Sequence, residues 1–263
     1  MERVVTGRSI TSLTNPLVKA ARGLHSRKAR EESGLFLVEG LKSVTEGVRL
    51  GFAPRLLLHG TQIAGHPLVR DAAAVAAETA QVSDAVLAKI SRRDNPQAAL
   101  AVFEQRLTPL AAIVPDVSPC WIALQAVRDP GNLGAIVRTA DAAGCGGVIL
   151  VGDCCDPFSV EAVRATMGSI FAVTLVKTSV EAFIAWRRGW PGAVVGTLLS
   201  ATTDFRGAVY RSPTLILMGP ERAGLSADLA EICDATVKIP MRGRADSLNL
   251  AVATGVMIYA VMP

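Results

Sequence analysis

The chain has 263 residues, half of them hydrophobic and 19% charged, room for one large domain or two small ones and too apolar for intrinsic disorder. Gly 23 and Pro 14 exclude collagen-like and low-complexity chains. The net charge of +4 is unevenly placed: residues 1–117 carry 15 basic and 11 acidic side chains, residues 118–263 twelve of each.

In chain order, MERVVTGRSITSLTNP lacks an apolar signal region, so a cytoplasmic location is expected. Asn15-Pro16 opens a helix on which Leu17, Ala20, Ala21 and Leu24 share one face. The first 30 residues hold seven basic groups against Glu2. Of these, Lys19, Arg22, Arg27, Lys28 and Arg30 form a candidate RNA-binding patch, with a solvated helix face as the alternative. A strand over 35–38, a helix over 41–49, a strand over 55–58, an Ala-rich helix from Pro67 to Thr79, a short helix capped by Ser83 and a strand over 98–103 complete a small α/β unit, residues 1–104. Residues 105–119 contain Pro109, Pro115 and Pro119 and read as a linker.

Residues 120–263 alternate apolar strands with helices, the pattern of a parallel sheet covered on both faces. Strands are expected over 121–127, 147–151, 171–176, 193–198, 214–218 and 236–239. Helices are expected from the 128–134 loop through Ala143, over 159–168 and 180–188, and from Asp246 to about Ala260. The apolar run Leu248–Met262, broken by Asn249 and Thr254, is shorter than the ~20 residues of a membrane span and reads as a buried helix. The five cysteines are odd in number and form no C-x-x-C, so neither a disulfide framework nor a metal site is expected. The adjacent Cys154 and Cys155 are either redox-active or small loop residues.

Ligands of parallel sheets sit beyond the carboxyl ends of the strands. That selects three loops. Arg128-Asp-Pro-Gly-Asn-Leu-Gly134 leads into a helix, with Arg138 expected one turn in. It lacks G-x-G-x-x-G, but Asp153 near the ribose-binding distance keeps a nicotinamide-linked oxidoreductase open. Its alternative is a tight turn capped by Asn132. The second loop, Met218-Gly-Pro-Glu-Arg-Ala-Gly-Leu225, has Gly219 for close backbone approach and Glu221 at a strand end. The third, Ile239 to Leu250, puts Ser247 and Asn249 at the mouth of the last helix, where both could simply cap it.

The set resembles the SpoU/TrmH family of RNA ribose 2′-O-methyltransferases through Asp129-Pro-Gly-Asn-Leu-Gly-Ala-Ile-Val-Arg138-Thr-Ala, Val163-Arg-Ala-Thr-Met-Gly168, Gly219-Pro-Glu-Arg-Ala-Gly-Leu225 and Ile239-Pro-Met with Ser247-Leu-Asn249. Ser12-Leu-Thr-Asn-Pro16 and Phe36-Leu-Val-Glu-Gly40 look like the family's small RNA-binding domain. The resemblance implies an α/β protein whose parallel-sheet domain carries a C-terminal trefoil knot. It also implies S-adenosylmethionine as cofactor, no metal, a homodimer and RNA as substrate, most of all ribosomal RNA. By motif, Asn132, Arg138, Glu221, Ser247 and Asn249 would be functional; backbone around Leu217, Gly219, Ile239 and Met241, with Leu248, would hold the cofactor. A transfer-RNA methyltransferase and a catalytically silent RNA-binding protein are the alternatives within the resemblance. His25, His59 and His66 all lie in the front domain, so no imidazole stands in the motifs. Arg138, protonated at any ordinary pH, is expected to clamp phosphate and polarise the ribose hydroxyl, with a transient base role as the rival. Asn249 is expected to brace its loop.

Overall fold

A computed structural model describes residues 6–220 and 223–262. The chain divides into two compact units, and the division does not follow chain order. Unit 1 is the chain up to Gln105 together with Asp156–Phe171; unit 2 is Arg106–Cys155 and the chain from Ala172 on.

Unit 1 runs β1 (Thr6–Ile10), α1 (Pro16–Gly23), α2 (Arg27–Ser33), β2 (Leu35–Glu39), α3 (Leu41–Arg49), β3 (Leu56–Gly60), α4 (Pro67–Val75), β4 (Thr79–Val82), α5 (Asp84–Ser91) and β5 (Ala99–Glu104). The five strands lie in the order β1-β4-β3-β5-β2, with β1, β4 and β3 parallel and β5 antiparallel to both neighbours. Asn15 caps α1 by accepting from the Leu17 N–H at 2.9 Å, ahead of Pro16. Ser83 caps α5. The Ala-rich helix ends at Val75 rather than Thr79, because Thr79–Val82 is needed as the strand beside β3, with Thr79 opposite Leu57. Helix propensity gives way there to sheet pairing.

The segment 156–171 brings α7 (Val160–Thr166) into this unit. Val160 joins the core of Val18, Leu37, Leu58 and Leu100. Phe158 lies 5.0 Å from Phe36 and Phe171 lies 4.8 Å from Phe103, ring centre to ring centre. Two ion pairs fasten the segment. Arg164 grips Glu39 with two bonds of 2.8 and 2.6 Å, and the Glu39 side chain is 2% exposed. Arg30 binds Asp156 at 2.7 Å and the Leu24 carbonyl at 2.7 Å.

Unit 2 contains β6 (Cys120–Gln125), α6 (Pro130–Ala143), β7 (Gly147–Val151), β8 (Thr174–Thr178), α8 (Val180–Arg187), β9 (Val194–Thr197), β10 (Thr203–Asp204), β11 (Thr214–Met218), α9 (Ala227–Glu231), β12 (Ala235–Lys238) and α10 (Leu250–Val261). Its seven strands are all parallel, in the order β10-β12-β9-β11-β6-β7-β8. β6, β7 and β11 are apolar throughout apart from the terminal Gln125 and Thr214 and are buried, as a sheet covered on both faces requires. The strand expected over 171–176 starts at Thr174, since Ser169–Phe171 turns as a single 3₁₀ helix. Residues 106–119 are packed onto this unit rather than hanging free: the Thr108 N–H donates to the Leu175 carbonyl, Trp121 Nε1 donates to the Pro115 carbonyl, and Leu110 and Ile113 lie against the core. All five cysteines are free thiols.

Candidate functional site

An all-parallel sheet brings every strand's carboxyl end to one edge, so the three loops singled out by sequence meet there. The segments after β9, β11 and β12 enclose a cavity of about 230 Å³. Gly219, Ile239, Met241, Ser247 and Leu248 line it, together with Thr197, Leu198, Met218 and Leu250. Leu217 does not: strand alternation turns its side chain into the core and gives the pocket Met218 instead. Gly219 is required by close approach, because a Cβ there would stand 2.3 Å from the Gly224 carbonyl carbon. Thr197 Oγ1 is buried without a hydrogen-bond partner among the described residues. An apolar box with an unanswered hydroxyl fits a ligand with an apolar body and a polar edge. Glu221 lies outside the described residues. Ser247 donates to Asp246 at 3.1 Å.

The first loop is organised differently from the sequence expectation. Asp129, not Asn132, caps α6, accepting from the Asn132 N–H at 2.6 Å. This frees the Asn132 side chain, whose Oδ1 accepts from Asn249 Nδ2 at 2.8 Å. Asn249 Oδ1 in turn caps α10 through the Ala251 and Val252 N–H groups at 3.0 and 3.3 Å. That cap starts α10 at Leu250 rather than Asp246. One asparagine therefore ties the third loop to the first across 117 residues.

Because α6 begins at Pro130, Arg138 is its ninth residue, more than two turns in rather than one. Its Cα stands ~12 Å along the helix from Pro130. The side chain is exposed, is not in the pocket wall, and makes no ion pair with Asp129 or Asp141. The structure brings Asn132 and Asn249 together and gathers Gly219, Ile239, Met241 and Leu248 in one pocket wall, but leaves Arg138 out of that wall.

The basic patch is also revised. Arg30 is 3% exposed and committed to Asp156, so it is a fold residue and not a phosphate contact. Arg27 and Lys28 face Glu31 and Glu32 at 2.8 and 3.8 Å, one turn along α2. Lys19 is exposed, Arg22 is half-buried, and neither is ion-paired among the described residues. Arg92 and Arg93 are exposed at the end of α5. Arg92 is close enough to His25 to help hold its pKa down, although burial is the larger cause. Sequence also missed Thr197 and Gln125, whose signal was a polar residue closing an apolar strand.

Burial raises the Cys154 thiol and pushes that of Cys233 up to about 12, so neither is a thiolate nucleophile near neutral pH. No cluster of three or more metal-ligating side chains occurs among the described residues, and no helix there is long and apolar enough to cross a membrane.

Residues 119–259 match the SpoU rRNA Methylase family, and residues 15–101 match the MRM3-like substrate binding domain. The chain belongs to the SpoU rRNA methylase family. It is 31% identical to the 23S rRNA (uridine(2479)-2′-O)-methyltransferase of Streptomyces viridochromogenes over 98% of this chain and 93% of that protein. It is 28% identical to the 23S rRNA (guanosine(2553)-2′-O)-methyltransferase RlmP of Bacillus subtilis over 96% and 98% of the two. Among solved structures, the AdoMet-bound rRNA methyltransferase from Sinorhizobium meliloti superimposes with a TM-score of 0.89 at 45% identity, covering 97% of each chain. For the SpoU methylase unit, this places the pocket and the asparagine tie within the matched residues.

Proposed function

We propose that the protein transfers a methyl group from S-adenosylmethionine to a ribose 2′-hydroxyl of ribosomal RNA. The observation that carries this reading is the cavity at the carboxyl edge of the parallel sheet, walled by the Gly219, Ile239–Met241 and Ser247–Leu248 segments and holding an unpaired Thr197 hydroxyl. The named activities of the full-length relatives support it.

When bound, S-adenosylmethionine supplies a sulfonium methyl as electrophile. Met218, Ile239, Leu248 and Leu250 would hold the cofactor's apolar parts out of water, and Thr197 Oγ1 would offer it a hydrogen bond. Positioning of the ribose oxygen contributes several kcal/mol of the acceleration. The Asn132–Asn249 bond fixes the first and third loops against each other. Arg138, a permanent cation with a planar fork, grips the substrate phosphate and polarises the hydroxyl.

The same reading makes the active form a homodimer with a knotted C-terminal segment. Val252 and Tyr259 of α10 are 53% and 62% exposed, two turns apart on one face of an apolar helix. α10 packs beside α6, which carries Arg138. A second copy on this face covers the apolar stripe and gives Arg138 a site to act in.

Calorimetry with S-adenosylmethionine in the presence of a chelator tests the cofactor assignment. Binding without metal is expected; binding that appears only on adding a divalent ion contradicts it.

A further inference from the structure

Gln125 ends β6, a strand otherwise apolar and buried from Cys120 to Leu124. β11 pairs with β6 up to Met218 opposite Leu124, so Gly219 leaves β11 beside Gln125, the last residue of β6, which is still paired with Val151 of β7. Gln125 Oε1 accepts the Ser226 backbone N–H at 2.9 Å, across 101 residues of sequence. Ser226 ends the segment that starts at Gly219, and it opens α9 without a side-chain cap bond. Two features bring the segment's described residues together: the Gly224 N–H bonds the Pro220 carbonyl at 2.9 Å, and Gly219 lies hard against Gly224. Gln125 adds a tie from the segment to the end of β6. Because the Ser226 N–H is a donor, the amide atom facing it must be the oxygen.

We propose that Gln125 is a positioning residue for the cofactor. Its Oε1 latches Ser226 onto β6 and so holds Gly219, Pro220, Ala223 and Gly224 as a pocket wall. The role in binding rests on the reading of that pocket as the S-adenosylmethionine site; the latch itself does not.

Two substitutions separate the acceptor from the rest of the side chain. Gln125→Met keeps length and removes the acceptor; Gln125→Glu keeps an acceptor and removes the amide donor. Hydrogen exchange at the Ser226 amide, measured on the full chain without ligand, reads the latch directly. Protection is expected in wild type and Gln125→Glu and is lost in Gln125→Met. Calorimetry should show S-adenosylmethionine affinity about tenfold weaker for Gln125→Met, the size of one lost hydrogen bond, and within about twofold of wild type for Gln125→Glu. Gln125→Asn, which draws the amide back by one methylene, gives the same comparison should the Met variant fail to fold. Unchanged Ser226 exchange in Gln125→Met overturns the latch. Unchanged affinity with lost protection overturns its role in binding, as does a Glu variant as weak as Met. Wild type that binds no S-adenosylmethionine overturns the reading of the pocket and leaves the exchange result to judge the latch.

Discussion

Two sets of arginines, one in each unit, are used in opposite ways, although unit 2 also holds the half-buried pair Arg187–Asp234. In unit 1, Arg30 and Arg164 are drawn onto Asp156 and Glu39 and hold the 156–171 segment in the fold. In unit 2, Arg138, Arg242 and Arg244 are exposed and make no ion pair among the described residues. The basic start of the chain therefore overstates the charge available to RNA, while the electrically neutral second half keeps these three cations exposed on its surface. Desolvation decides the difference. A guanidinium taken out of water must keep its carboxylate, whereas an exposed one remains available to a phosphate.

The largest expected effect tests the buried side of this contrast. Asp156→Ala leaves Arg30 buried without its counter-charge and should cost ~3–5 kcal/mol in denaturant unfolding. Asp153→Ala, which frees exposed Arg128, should cost no more than about 1 kcal/mol. Similar losses for the two would erase the distinction.

Arg138→Lys addresses the open side. The variant keeps the charge and loses the fork, so single-turnover methyl transfer at saturating cofactor and RNA should fall ~10²–10³-fold, or ~2.7–4 kcal/mol. Melting temperature and S-adenosylmethionine affinity should hold. Near-normal turnover would remove Arg138 from the catalytic groups.

A smaller effect concerns the first loop. Ala126 is held at φ 49°, where its N–H donates to the Val151 carbonyl at 3.0 Å. The left-handed region costs an L-residue ~1–2 kcal/mol, partly offset in glycine by extra unfolded-state entropy. Ala126→Gly should raise stability by about 1 kcal/mol in thermal melts; a loss would show that the Ala126 methyl makes packing contacts worth more than the strain.

The smallest effect sharpens the contrast within unit 1. Replacing Arg22, Arg92 and Arg93 with Ala should flatten the salt slope of RNA binding by ~0.7–0.9 per lost phosphate contact. Replacing Arg27 and Lys28, which already face Glu31 and Glu32, should flatten it less. The reverse order would return the patch to α2.

Where the sequence carried a strong period or a cap, the fold was legible. The strands at 147–151 and 214–218 stand where their apolar runs place them, and Asn15-Pro16 and Ser83 mark real helix starts. What was hidden depends on partners distant in the chain. Thr79–Val82 looks helical until β3 pairs with it, and α7 looks like a unit 2 helix until Glu39 takes Arg164. The strand-end rule selected the loops of the pocket wall, and the family resemblance named its residues Gly219, Ile239, Met241 and Leu248. The Asn132–Asn249 tie and the Gln125 latch could not be read, since each joins residues more than 100 positions apart.

The most direct test is an alkaline-hydrolysis map of ribosomal RNA from wild-type and deletion strains, since a 2′-O-methyl removes the internal nucleophile that cleaves the chain. One alkali-resistant position should be present in wild type, lost on deletion, restored by the intact gene and not restored by the Arg138→Lys variant. Identical cleavage patterns with and without the gene, or a lost methyl group that proves to be on a base, would contradict the account.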